Sequence, residues 1–290
     1  MEKPLILVTN DDGIQSDGLW AAAEAVQPLG EVLVVAPDRQ WSGAGRAIPF
    51  DVTGRVQFCP REIGSQQVSA YAVDASPALA VIHGVVRLAP RRPALVVSGV
   101  NFGTNLGTEV TISGTVGAAF EAAAFGIPAL AVSLEMDPAY FFVGDQSADY
   151  TPAIAITQNL ARHLLAHRLP YDVDVLNVNI PSCIGSDTPW RLTHLSRHRY
   201  FYPVPPDGSN GNWQPGYKIL ENAGHTEPDS DIRAVKVDRI VSVTPLSLDL
   251  TSRVGRQSLE RHLRAGHGLD GQEPEVLSSS KSQVRRISNK

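Results

Sequence analysis

Short runs of branched apolar residues alternate along much of the chain with longer stretches whose apolar positions recur at helical spacing. Leu5-Ile6-Leu7-Val8 opens the series, too continuous for a strand with one wet face and as expected of one covered on both. Similar runs follow at residues 31–36, 94–98, 129–134 and 173–180. Between them, residues 19–26, 77–88, 114–125 and 151–168 carry helical periodicity. Alternation of this kind predicts an α/β fold with a Rossmann-like, doubly wound, mostly parallel sheet. Right-handed crossovers would bring the carboxyl ends of the parallel strands to one edge.

Two regions depart from the rhythm. Residues 50–73 are richer in Thr, Gln, Val and Ser and predict a small β-hairpin excursion. From residue 189 aromatics, prolines and glycines interrupt the pattern, and an alternating stretch follows at 232–243. We expect an α/β core over residues 1–188 and a C-terminal arm of hairpins and extended chain over 189–254, suited to oligomerisation. Residues 255–290 lose apolar content and end rich in Ser, Lys and Arg, the composition of a disordered tail.

A chain of 290 residues with 43% hydrophobic and 19% charged residues is long enough to bury a full core. Its net charge of −5 offers no general attraction to duplex nucleic acid or an anionic membrane. No apolar run approaches the length of a membrane span. Cys59 and Cys183 lack metal-ligand spacing and are expected as reduced, buried thiols of a cytoplasmic protein. Because Met1-Glu2-Lys3-Pro4 leads straight into the first strand, no signal peptide is expected.

Chemistry concentrates where strands should end. Asp11 and Asp12 follow the first apolar run, at the edge where open parallel sheets bind ligands. Adjacent carboxylates repel unless a cation lies between them, and hard oxygen donors suit Mg²⁺, Mn²⁺ or Ca²⁺, with Mg²⁺ or Mn²⁺ expected. The plainer reading is a solvated Asx turn. The second strand feeds a loop with the hydroxyl of Ser42 beside Gly43 and Gly45, and the third a loop with Asn101 and Asn105 among glycines. Converging there, carboxylate, hydroxyl and amide oxygens would equip a metal-dependent phosphomonoesterase. Ser113-Gly114-Thr115 opens the helix that follows, so its free N–H groups and hydroxyls offer an anion site as well as an ordinary N-cap. Asn101 and Asn105 also suit left-handed turn positions.

Several blocks resemble a known family. Val8-Thr9-Asn10-Asp11-Asp12-Gly13, Ala36-Pro37-Asp38 through Ser42-Gly43 and Val97-Ser98-Gly99-Val100-Asn101 through Gly107 resemble the SurE survival proteins. So do Ser113-Gly114-Thr115-Val116, Gly126-Ile127-Pro128, Leu176-Asn177-Val178-Asn179-Ile180-Pro181 and Val241-Ser242-Val243-Thr244-Pro245-Leu246, all in the family's order. The resemblance implies a 5'/3'-nucleotidase that is also active on other phosphomonoesters. It implies one divalent metal ion per subunit on Asp11, Asp12, Ser42 and Asn101, with Asp11 or Asp12 handling the proton. Asn105, Ser113, Gly114 and Thr115, with Asn101, would contact the phosphate of a nucleoside monophosphate. It further implies a homodimer or homotetramer that exchanges its C-terminal arm. Ile112 stands where the family often has Tyr, and Arg39-Gln40-Trp41 is bulkier than usual, which bears on substrate preference.

Other signals carry less. His163 and His167 share a helix face without the glutamate of a zincin, near a helix C-terminus that favours cations. His194 and His198 suit a surface or an interface, and Asp229 and Asp231 a solvated turn rather than a contact from the arm to a substrate. Gly99, Gly103 and Gly107 do not match a dinucleotide fingerprint, and no Walker A sequence is present. A phosphoaspartyl enzyme would usually separate its two acids by one residue, whereas these are adjacent. A nucleotide sensor without turnover, or an acid phosphatase of broader specificity, are the competing functions.

Overall fold

The computed structural model describes residues 2–136, 148–185, 187–205 and 216–265. Its strands and helices, in chain order, are β1 (Leu5–Thr9), α1 (Asp17–Val26), β2 (Glu31–Pro37), β3 (Val56–Phe58), β4 (Arg61–Ile63) and β5 (Gln66–Val73). There follow α2 (Pro77–His83), β6 (Leu95–Phe102), α3 (Gly114–Ala124), β7 (Ala129–Leu134), α4 (Thr151–Ala166) and β8 (Val175–Ile180). The chain continues through β9 (Trp190–Leu192), β10 (Phe201–Val204), β11 (Gly216–Ile219), α5 (Asp231–Lys236), β12 (Val241–Leu246) and α6 (Arg256–Arg264). Residues 77–88, expected as one helix, form α2 and then a wider π turn over Gly84–Leu88.

Strands β5, β2, β1, β6, β7 and β8 lie side by side and parallel within a ten-stranded sheet. The predicted α/β class and mostly parallel sheet are therefore present. Each strand sends alternate residues to opposite faces. Ile6 and Val8 join a core packed by α1 and α4, whereas Leu5 and Leu7 join one packed by α2 and α3. Burial on both faces is why these strands read as unbroken apolar runs.

The order places β1 between β2 and β6. The chain leaves β1 in one direction and later returns to its other side, so a topological switch point opens at the carboxyl end of β1. Asp11 and Asp12 follow directly, and Asn101 lies near the end of the neighbouring β6.

Three expectations need correction. Residues 50–73 do not simply leave the sheet: β5 pairs in parallel with β2, and β3 and β4 fold back on β5. Residues 232–243 are not hairpins: they contain most of the helix α5 and the start of β12, which pairs antiparallel with β8 and parallel with β9. A two-stranded ribbon apart from the main sheet, β10 with β11, is the hairpin that does form within 189–254. Cys59 is half-buried and Cys183 exposed, both free, against the expectation of buried thiols.

The chain divides into the units Met1–Asp249 and Leu250–Lys290. Within residues 255–290, expected as a disordered tail, α6 is helical and every one of its residues is exposed. The rest of the tail, 266–290, lies outside the described residues. Among the described residues no helix is long and apolar enough to cross a membrane.

Candidate active site

The turn after β1 is closed by Asn10. Its side-chain amide donates to Gly13 O at 3.0 Å and its side-chain oxygen accepts from Gly13 N at 3.2 Å. That exchange fixes the backbone on which the two acids sit. The loop after β2 is fastened across them: Trp41 N donates to Asp11 O at 2.7 Å, and Gly45 N to Ile112 O at 2.8 Å. Two of the loops singled out in the sequence thus meet the third element, the start of α3.

Asp11 is almost fully buried and accepts a 2.6 Å bond at Oδ1 from Thr115 Oγ1. A side chain at position 114 would come within 2.7 Å of Asp11 Cβ, so only glycine lets the helix end approach this closely. Ser113 caps α3 by accepting from Val116 N at 3.1 Å. Asp12 is half-buried and accepts at Oδ2 from Phe102 N at 3.0 Å, next to Asn101. The side-chain amide of Asn101 donates to Gly103 O at 2.7 Å, leaving its oxygen as the end available to a cation. Ser42 makes no direct bond to either acid. Gln40 joins them, donating to Ser42 Oγ at 3.0 Å and hydrogen-bonding Asp12.

Electrostatics marks the pair. Burial pushes the Asp11 carboxyl up, against the hydrogen bonds of Thr115 and of the α3 backbone. Burial also raises Asp12, and the charge of Asp11 raises it further. No Lys, Arg or His offsets either acid among the causes of these shifts. Among the described residues, no three His, Cys, Asp or Glu side chains gather as a metal-binding group. A cation here would rest on two carboxylates and neutral oxygens, a donor set that fits Mg²⁺ or Mn²⁺ and not a softer metal.

A buried polar network backs the site, and the sequence reading assigned no role to several of its members. Asn105 Nδ2 donates to Ser133 Oγ at 2.9 Å and to Thr115 Oγ1 at 3.4 Å. Its backbone N–H donates to Asn179 Oδ1 at 2.8 Å, and its carbonyl accepts from Asn177 and Asn179 at 3.0 Å each. Polar residues alternating inside the apolar strand Val175–Ile180 were the available signal. Asp231, expected in a solvated turn, is instead fully buried. Asp229 is exposed and pairs with His194 at 2.9 Å, and His198 bonds Ser196. His163 and His167 lie ring to ring with centroids 4.7 Å apart.

A family model described as survival protein SurE matches residues 6–202. The chain belongs to the SurE family. It is similar to the 5'-nucleotidase SurE of Methanosarcina acetivorans, 40% identical over 271 residues that cover 90% of this chain and 98% of that protein. The 5'-nucleotidase SurE of Thermococcus gammatolerans is likewise 40% identical, over 89% of this chain and 95% of its own. The crystal structure of the SurE protein from Aquifex aeolicus aligns with a TM-score of 0.68 and 33% identity, covering 90% of this chain and all of that one. The acid turn, the amide loop and the start of α3 all lie within the residues that the family model matches.

Proposed function

We propose that this SurE-family protein is a metal-dependent phosphomonoesterase that hydrolyses nucleoside 5'-monophosphates, and 3'-monophosphates, to nucleoside and phosphate. The observation that carries this reading is the Asp11–Asp12 pair, the first acid buried and the second half-buried, with no countercharge on either among the described residues, against the N-terminus of α3. The Methanosarcina and Thermococcus relatives are named 5'-nucleotidases, which supports the reading. Asp11, Asp12, Ser42 and Asn101 would hold one divalent ion. When bound, that ion supplies charge neutralisation and Lewis acidity toward the phosphate ester.

The chain's own residues do the rest. Backbone N–H groups at Gly114 and Thr115, at the positive end of α3, donate to the non-bridging phosphate oxygens together with Ser113. Asn177 and Asn179 hold the backbone of Asn105, and its side-chain amide, which donates to Ser133 and more distantly to Thr115, would turn the N–H now on Thr115 to another oxygen. Asp11 or Asp12 takes a proton from the attacking water as the water oxygen bonds to phosphorus. The ester P–O bond breaks, and the departing nucleoside oxygen takes up the proton that the aspartate had accepted. Thr115 fixes which Asp11 oxygen remains open for this work.

A phosphate-release assay over nucleoside 5'- and 3'-monophosphates and simple phosphomonoesters tests the proposal. Release should require added Mg²⁺ or Mn²⁺ and stop in EDTA. Full activity in EDTA-treated protein would refute the metal, and no release from any nucleotide would refute the reaction.

A further inference from the structure

Residues 105–109 are gripped from two sides. From β8, Asn177 and Asn179 hold the backbone of Asn105. From the C-terminal segment, Leu106 is enclosed by Tyr200, Ile232 and Val235. Gly107 N donates to Asp231 Oδ2 at 2.7 Å, Thr108 N to His198 O at 3.3 Å, and Tyr200 N to Glu109 Oε2 at 2.8 Å. Gly107 is left-handed, with φ +56, and a Cβ there would meet His198 O at 2.4 Å. No other residue fits so tight a passage without strain.

Asp231 is the knot of this arrangement. Its second oxygen, Oδ1, accepts from Ser196 N at 2.9 Å and from Ile232 N at 2.8 Å. One buried carboxylate therefore ties the loop after β6, the chain before β10 and the start of α5. Both oxygens act only as acceptors, a pattern that a carboxylate satisfies and an amide does not.

We propose that Asp231 is a positioning residue for the phosphate-binding amide of Asn105, acting through the backbone of Gly107. The role rests on the reading of Asn105 as a phosphate contact given above. It separates two parts of the site: the proposed metal ligands precede this loop, so Asp231 governs phosphate affinity and leaves the cation alone. Asp231→Asn keeps the volume but turns one acceptor into a donor that faces a backbone N–H. Either Gly107 or the Ser196–Ile232 pair then lacks its partner, and the loop shifts.

The test measures steady-state kinetics on a nucleoside 5'-monophosphate, inhibition by inorganic phosphate, and Mn²⁺ affinity by calorimetry. For Asp231→Asn we expect KM and the phosphate inhibition constant to rise about tenfold, the scale of one lost hydrogen bond. The kcat should stay within about twofold and Mn²⁺ affinity should not change. Asp229→Asn, on the exposed neighbouring residue, should match the wild type throughout. A folded Asp231→Asn with wild-type KM overturns the proposal, as does a uniform loss that includes Mn²⁺ affinity. If the variant does not fold, amide hydrogen exchange of the wild type decides. Saturating phosphate with Mn²⁺ should slow exchange at Gly107 and Ser196 together, and protection at Gly107 alone overturns the link. Wild-type protein with Mn²⁺ that neither binds phosphate nor hydrolyses nucleotides removes the functional reading itself, and is recognised before any variant is made.

Discussion

Two adjacent carboxylates, one buried and one half-buried, are a liability to a fold and an asset to a site that will hold a cation. For Asp11 and Asp12 the two consequences are separable. Replacing either by Asn should lower cation-dependent phosphate release by about 100-fold or more, while the circular dichroism spectrum is kept. In EDTA the same substitution should raise the unfolding midpoint, because it removes buried repulsion. The sign of its pH dependence follows from the raised carboxyls. A group that holds its proton more tightly in the fold contributes stability at low pH, and that stability is lost as pH rises toward neutrality. The advantage of Asp12→Asn over the metal-free wild type should therefore grow between pH 5 and pH 8, by about 1 kcal/mol or more in urea titrations. Ser42→Ala and Asn101→Ala should weaken Mn²⁺ binding more mildly, since neutral oxygens contribute less than carboxylates; unchanged calorimetric titrations in both would exclude them as ligands. These residues were legible because glycines and strand ends exposed their position. Asn177 and Asn179 showed only as polar positions alternating in an apolar run, and the burial of Asp231 not at all, because a polar residue that serves a partner far along the chain leaves little local pattern to give its role.

At the level of elements, the parallel core could be read because two-sided burial writes itself as apolar runs. The outer strands could not. β5 has exposed residues at its start and β9 is three residues long, so neither carries the signal of a covered strand. The placement of α5 likewise depends on distant partners. Its last residue, Lys236, pairs with Glu135 beyond the end of β7, and Arg239 reaches the same carboxylate at 2.6 Å. Burial raises Glu135, yet the hydrogen bonds of Lys236, Ser182 and Arg239 outweigh it and hold the carboxyl below its ordinary value. Glu135→Gln should therefore destabilise the protein by about 3 kcal/mol at neutral pH, because two cations lose their shared partner. A depressed acid contributes stability above its unfolded range that is lost as pH falls. The gap between wild type and Glu135→Gln should thus narrow in acid, opposite in direction to the acid pair, and denaturant midpoints across pH will show it.

For the whole molecule, the ribbon β10–β11 stands apart from the ten-stranded sheet, with Tyr202 and Tyr217 exposed on it. We propose that this ribbon meets a second copy of the chain and gives at least a dimer. Deleting residues 202–217, of which 206–215 lie outside the described residues, should lower the mass seen by light scattering. Deleting residues 272–290 should change neither mass nor nucleotide hydrolysis. A wild-type monomer at micromolar concentration would refute the exchange.

The bond from Gly107 to Asp231 spans 124 residues. On the ribosome, the proposed metal ligands are all made before residue 102, but the chain that fixes the neighbouring loop emerges only much later. A nascent chain could gather its acids and helix end early, as N-terminal segments fold first. Its loop would stay loose until α5 arrived. Synthesis therefore completes the pocket last, and a chain cut short before Asp231 would carry the ligands of the site without its shape.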